Sequence, residues 1–429
     1  MTTEAAETGS LASPIRRRRF FGWQIAVVAF TAQFVANGVT LSAVSNLVAP
    51  MNRAFGLEDS LLGIGVAPAF AILVIGMLGP FLGRWLDRGW TRRLMILGSV
   101  LTGGGLMLLS MATSVWHLIV VYVGIVCTGG ALFGVLPSTT LIANWFVRRR
   151  GLMLGVAYAG ATLASAAVPL FAQAVIDAEG WRAALRYLGL FTWIAALPVL
   201  AAFVISRPED VGQLPDGAPE APLQDDSIGL EGVKPASELA RDPVLWQVSI
   251  GFGLVMTSPV VILSLLIDFG QSTLGLSGQQ ATIFFLAAAP LSLVGKLLIG
   301  GLADVAPLKP SIALTVLMNL LVWIILYSNP SYPVFVVTGA LYGIGIGGAS
   351  PLHGVVNGRC FGRANFGTAA GLGGVAGIPL MVIAVVLGQV LKGVTGSYHA
   401  AFVMQGGLLL IGGALLALVR IPPPSRGGD

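Results

Sequence analysis

Read as apolar and polar positions, the chain alternates long hydrophobic runs with short polar ones. Windows near twenty residues, the length that carries a helix across the roughly 30 Å hydrocarbon layer, recur at about 20–46, 60–82, 94–112, 117–143, 151–176, 185–206, 245–270, 279–302, 310–328, 333–357, 367–391 and 399–420. The runs are unbroken and lack a period of two, which predicts helices and excludes a barrel. The expectation is an all-α membrane protein with twelve transmembrane helices. Composition agrees: 55% of residues are hydrophobic, 10% are charged and mean hydropathy is +0.86, whereas a soluble domain carries about 25% charged residues. The 57 glycines and 24 prolines suit membrane helices, which pack through small residues and tolerate kinks.

Charge then orients the spans. With both termini inside, the outer loops hold Arg53, Arg182, Arg186 and Lys392, and every other lysine and arginine except Lys296 falls on the cytoplasmic side. This is a positive-inside distribution. A formal charge of +5 and a pI near 9.5 would suit nucleic acid if the arginines formed a stripe, but they are dispersed at helix ends. Arg16 to Arg19 precede an apolar run too long for a cleavable signal. The expected location is therefore the plasma membrane, bacterial inner membrane, multi-pass, with cytoplasmic termini. The segments divide into a tail 1–19, a six-helix half 20–206, a cytoplasmic linker 207–244 that is acidic and rich in proline and glycine, a second six-helix half 245–420, and a tail 421–429.

The two halves repeat each other. Gly83, Asp87 and Arg92 follow segment two with spacings that Gly300, Asp304 and Lys309 reproduce after segment eight. Phe146, Arg148, Gly151 and Gly155 open segment five, and Phe361, Arg363, Gly367 and Gly371 open segment eleven with one extra residue. Repeated halves point to a carrier that rocks about a site near the midplane.

One charge lies well inside an apolar segment. Lys296, in AAAPLSLVGKLLIGGLAD, would cost roughly 2.5–3.5 kcal/mol at bilayer depth on insertion scales. Such a residue usually faces a cavity and serves a negative partner; the alternative is a lysine that snorkels to the cytoplasmic surface. Ser292 is one turn earlier on the same face, placed to orient the ammonium or the solute. Gln33 and Asn37, one turn apart in segment one, either line the same cavity or bond to a neighbouring helix. Asp268 and His353 are the candidates for proton coupling, against a helix-end cap and an interhelical bond respectively. No catalytic constellation is present, Cys127 and Cys360 have no metal-ligand spacing, and neither enzyme activity, cofactor nor metal is expected.

The loop GRWLDRGWTRR, with Gly83, Asp87, Arg88, Arg92 and Arg93, is similar to the loop between helices two and three of the major facilitator superfamily. The resemblance covers nearly all of residues 16–422. Trp90 stands where that family usually has glycine, with Gly89 one place early. Within the superfamily, FFGWQIAVVAF and NWFVRRRGLMLGVAYAG resemble the monocarboxylate carrier and oxalate/formate antiporter branch. The resemblance implies two pseudo-symmetric six-helix bundles. It also implies a cytoplasmic gate, held shut by ion pairs, at Gly83, Asp87, Arg88, Arg92 and Arg93, echoed by Asp304. Lys296 falls where relatives carry a basic residue that contacts the substrate carboxylate, with lysine in place of the commoner arginine. Tyr122 and Tyr342 fall where relatives place aromatic hydroxyls around it; otherwise they are packing residues. Helix eleven lacks a second buried cation, which argues against oxalate.

The expectation is thus a monomeric secondary transporter of a small organic anion, a monocarboxylate or aromatic carboxylate. It would work by alternating access, through proton symport or anion exchange, with the lipid bilayer and no nucleic acid as its other partners. A proton-coupled drug exporter is the alternative, and segments four and five lack the arginine and the GPxxGG-like run of that group.

Overall fold

Apolar segments that must satisfy every backbone group internally become helices, and the computed structural model describes residues 20–56, 67–218 and 232–422 as almost wholly helical. Eleven helices among the described residues are long and apolar enough to span a membrane. They are α1 (Gly22–Phe55), α3 (Thr91–Ser110), α4 (Val115–Trp145), α5 (Arg150–Glu179), α6 (Trp181–Phe203), α7 (Pro243–Ser272), α8 (Gly278–Val305), α9 (Leu308–Tyr327), α10 (Tyr332–Phe361), α11 (Phe366–Thr395) and α12 (His399–Leu418). The helix α2 (Ala67–Asp87) takes the place of the second segment. Arg16 to Arg19 and the middle of the linker lie outside the described residues.

Large apolar side chains such as Val27, Met77, Leu170, Leu298, Val337 and Leu410 stand exposed on the outside of the bundle. In water such a coat would drive aggregation, and in a bilayer it is the solvent-matched surface. This is a multi-pass membrane protein.

Several helices are broken where a side chain or proline disturbs the backbone ladder. In α1 a π-helical turn at Gly38–Ser42 interrupts the α-helix. The helix α4 has a π-helical turn at Tyr122–Cys127 and a break at Gly134. The kink in α6 falls at Ala196, just before Pro198.

The first structural difference from the sequence reading is at GRWLDRGWTRR. The stretch is not a loop: α2 continues to Asp87 and α3 begins at Thr91. Gly89, at φ +88°, ends α2 in a Schellman turn, with its N–H on the Leu86 carbonyl at 2.9 Å and that of Trp90 on Trp85 at 3.1 Å. The early glycine therefore sits where the turn needs it, and Trp90 needs no special conformation. The second difference is in the predicted linker, whose described flanks are docked. Arg207 donates to the Asp87 carbonyl at 2.5 Å, Glu209 pairs with Arg363 at 2.8 Å, and the Lys234 amide donates to Asn365 at 2.7 Å.

Helices of 20–206 meet those of 245–420 chiefly along α2 with α11 and α5 with α8. Glycines make both crossings close. At Gly83 the Gly367 carbonyl leaves no room for a Cβ, and at Gly151 the Gly300 carbonyl does the same.

Candidate solute path and gate

At one end of the bundle, two aspartates close the crossings. Asp87, 2% exposed at the last turn of α2, accepts from the backbone N–H of Gly367 at 2.8 Å and of Thr368 at 2.7 Å. Those two amides are in the first turn of α11, whose leading N–H groups have no partner within the helix. Asp304, near the end of α8, does the same for α5, accepting from Gly151 at 2.7 Å and Leu152 at 2.9 Å. A carboxylate on a helix N-terminus gains both hydrogen bonds and the favourable end of the helix dipole.

The arginines play other parts. Arg92 donates to the Ala201 carbonyl at 2.6 Å, Arg93 lies over the Trp90 ring, and Arg88 is exposed. The clasp at Asp87 is thus carboxylate on helix end, in place of the ion pairs that the resemblance implied. By sequence Arg150 was only one of the arginines assigned to the cytoplasmic side. It is 5% exposed, bonds the Phe146 and Ala143 carbonyls and lies across Gly358 of α10.

Behind this closed end lies a cavity of about 250 Å³, lined from both sides of the molecule. Gln33, Asn37, Thr139 and Tyr158 face it from α1, α4 and α5, and His353 and Asn357 from α10. The rest of the wall is largely glycine and aliphatic side chains, and among the described residues no Lys, Arg, Asp or Glu lines it. Gln33 is 0% exposed with neither amide atom hydrogen-bonded, and the Oδ1 of Asn357 is likewise without a partner. Asn357 Nδ2 sits 3.2 Å from His353 Nε2, and the His353 ring lies against Phe252. The sequence reading found Gln33, Asn37 and His353 but missed Tyr158 and Asn357. Asn357 is one turn from His353, a spacing that marks a shared face.

Lys296 is half-buried in α8 and donates to Ser292 Oγ at 2.9 Å. Ser292 lies toward the start of α8, so the ammonium turns away from the end that carries Asp304. That is opposite to snorkelling toward the gate end. Ser292 is its only hydrogen-bond partner among the described residues, and neither residue lines the cavity. The Lys296 carbonyl packs on Gly155, one turn from Tyr158.

The remaining candidates are dispersed. Tyr122 donates to the Thr40 carbonyl at 2.6 Å, and Tyr342 is buried against Phe284; neither lines the cavity. Thr40 lies in the π-helical turn of α1, where altered pairing leaves a carbonyl to be satisfied from outside the helix. Asp268 is bonded to Lys392 of α11, away from the cavity.

The sequence profile of the Major Facilitator Superfamily matches residues 25–318. The chain belongs to this superfamily. Across 92% of its length this superfamily member is 28% identical to monocarboxylate transporter 13 of Bos taurus, covering 88% of that protein. It is 27% identical to monocarboxylate transporter 11 of Mus musculus (91% of this chain, 86% of the relative) and 25% identical to monocarboxylate transporter 12 of Rattus norvegicus (76% and 71%). Among solved structures it resembles the human organic anion transporter MFSD10 (TETRAN), with a TM-score of 0.70 at 16% identity, covering 94% of this chain and 99% of that one. A bacterial homologue of the iron transporter ferroportin in an outward-facing state gives 0.67 at 14% identity, over 93% and 98%. At those identities the likeness is one of fold. The superfamily member is a transporter, and neither its fold nor its relatives are those of enzymes.

Proposed function

We propose that this superfamily member moves a small organic anion, a monocarboxylate or aromatic carboxylate, across the plasma membrane by alternating access, with cytoplasmic termini and the Asp87 and Asp304 end facing the cytoplasm. The relatives named as monocarboxylate transporters support the substrate class. The observation that carries the reading is Lys296: an ammonium inside a membrane helix, turned from the gate end, with a serine and no carboxylate as its partner. An unneutralised charge there is costly and is relieved when a carboxylate joins it. Exchange of one anion for another needs nothing more. For proton symport, His353 is better placed than Asp268, because it lines the cavity while Asp268 is engaged with Lys392.

The test is counterflow in proteoliposomes with a panel of carboxylates, comparing Lys296→Gln and Lys296→Arg with wild type. Loss of anion counterflow in the glutamine variant by about 100-fold, with partial retention in the arginine variant, is expected for a removed charge pairing of about 3 kcal/mol. Wild-type counterflow by Lys296→Gln removes Lys296 from the mechanism.

A further inference from the structure

We infer that Gly374 and Ile378, one turn apart on α11, set the size of the solute: the side chain missing at 374 leaves room for a single aromatic ring, and Ile378 closes that room on one side. The inference rests on the reading that this protein carries small solutes through the cavity, and it makes no use of Lys296.

Seven glycines line the cavity, and packing accounts for six of them. A Cβ on Gly79 or on Gly371 would strike the other's carbonyl, at 2.7 and 2.1 Å, and one on Gly134 would strike the Gly130 carbonyl at 2.6 Å. At Gly76, Gly130 and Gly354 it would meet Ile378 Cδ1, Thr40 Cγ2 and Leu154 Cδ1, at 2.6, 2.7 and 2.5 Å. Gly374 is different. A Cβ there would find Ile378 Cδ1 at 4.0 Å, an ordinary contact, and no closer neighbour among the described residues. Alanine is the better helix former, and there is space for it, so neither packing nor backbone calls for glycine at 374. What a side chain there would take up is the cavity.

The position follows from how α2 and α11 part. Gly367, Gly371, Gly374 and Ile378 share one face of α11. The first two carry the crossing, against Gly83 and Gly79 of α2. One turn further from the gate, Gly76 of α2 meets the Ile378 side chain and no backbone of α11. The helices have separated there, and the gap is cavity except where Ile378 fills it. Ile75, Leu82, Leu136 and Phe366 add to the wall, so the body held against it is apolar. A dry apolar cavity of about 150 Å³ takes benzene; at about 250 Å³ this one has room for one substituted ring and is small for a fused pair.

Counterflow with propionate, benzoate and 2-naphthoate tests this, read as ratios so that a change in rocking rate common to all solutes cancels. Wild type carries benzoate and disfavours 2-naphthoate. Gly374→Val lowers benzoate relative to propionate by at least about tenfold, the least that one misfitting methylene costs in a fitted pocket. Ile378→Ala raises 2-naphthoate relative to benzoate. Gly407→Val on α12, where a Cβ also meets nothing within 4 Å but lies outside the cavity wall, leaves the wild-type ratios. Gly374→Ala keeps the wild-type thermal midpoint, because its methyl group makes only ordinary contacts, and if the valine variant does not fold the alanine variant's lowered ratio takes its place. Failure of Gly374→Ala to fold overturns the inference, as do unchanged ratios or an equal loss of all three solutes. Should wild type move none of the three acids, the anion reading fails and uncharged benzamide decides the size limit: it raises the thermal midpoint of wild type and of Gly407→Val but not of Gly374→Val. No shift in wild type, or equal shifts in the two variants, overturns the inference by itself.

Discussion

Replacing Asp87 with asparagine tests whether the gate is held by a carboxylate on a helix end. The carboxylate now accepts one N–H on each oxygen, from Gly367 and Thr368. Asparagine keeps one acceptor and turns an NH2 group toward the second N–H, so one bond and the charge on the helix dipole are both lost. A hydrogen bond to a charged acceptor contributes about 1.5–3 kcal/mol, and the dipole about 0.3–1 kcal/mol. Part of this is offset, because the buried carboxylate is more costly to desolvate than an amide. A net loss of about 1–2 kcal/mol lowers the closed-to-open ratio by about 5- to 30-fold. The assay is electron-spin distance measurement between labels at Arg88→Cys and Ala364→Cys, with Cys127 and Cys360 replaced by serine. Asp87→Asn should populate a longer distance, and Asp304→Asn, which breaks the equivalent clasp on α5, should do so by a similar amount. Distributions indistinguishable from wild type in both variants would refute the reasoning.

Removing the Tyr122 hydroxyl (Y122F) should strand the Thr40 carbonyl and destabilise the fold by about 1–3 kcal/mol, seen as a lower thermal midpoint with counterflow retained. An unchanged midpoint with lost transport would move Tyr122 into the solute path. Glu209→Gln removes a partly exposed ion pair to Arg363, worth about 0.2–1 kcal/mol. It should speed limited proteolysis within 207–218 at low salt, and equal cleavage rates in the two proteins would show that the pair does not hold this segment.

The spans were legible because the bilayer imposes a length on every apolar run, and Lys296 stood out as a candidate because it is the one charge well inside such a run. The repeated spacing that ends in Asp87 and Asp304 marked two places where the halves meet. It did not identify the partners, since Gly367 and Thr368 are far away in sequence and contribute only backbone N–H groups, which look the same at every residue. Tyr122 was left between a solute contact, as the resemblance implied, and packing, because the π-helical turn whose carbonyl it meets leaves no periodic trace in one sequence. Asn357 and Tyr158 were missed for a related reason. Polar residues in an apolar helix look alike whether they face a cavity or a neighbour, until the packing of α1, α5 and α10 is known.

The two clasps exchange helices between the repeats: α2 of the first holds α11 of the second, and α8 of the second holds α5 of the first. Among the described residues, helix-to-helix hydrogen bonds between 20–206 and 245–420 occur only at these clasps. Lys392 and Asp268, away from the gate, join α11 to α7 within one repeat and do not lock the two together. On the alternating-access reading proposed above, opening this end breaks both clasps together. At about 1–2 kcal/mol for each charge-dependent part, the two clasps together would oppose that opening by about 2–4 kcal/mol. A solute shifts that balance only by binding the open-gate state more tightly. The cavity is lined from both sides, by Gln33, Asn37 and Tyr158 and by His353 and Asn357, so a solute held in it has a means to favour one arrangement over the other.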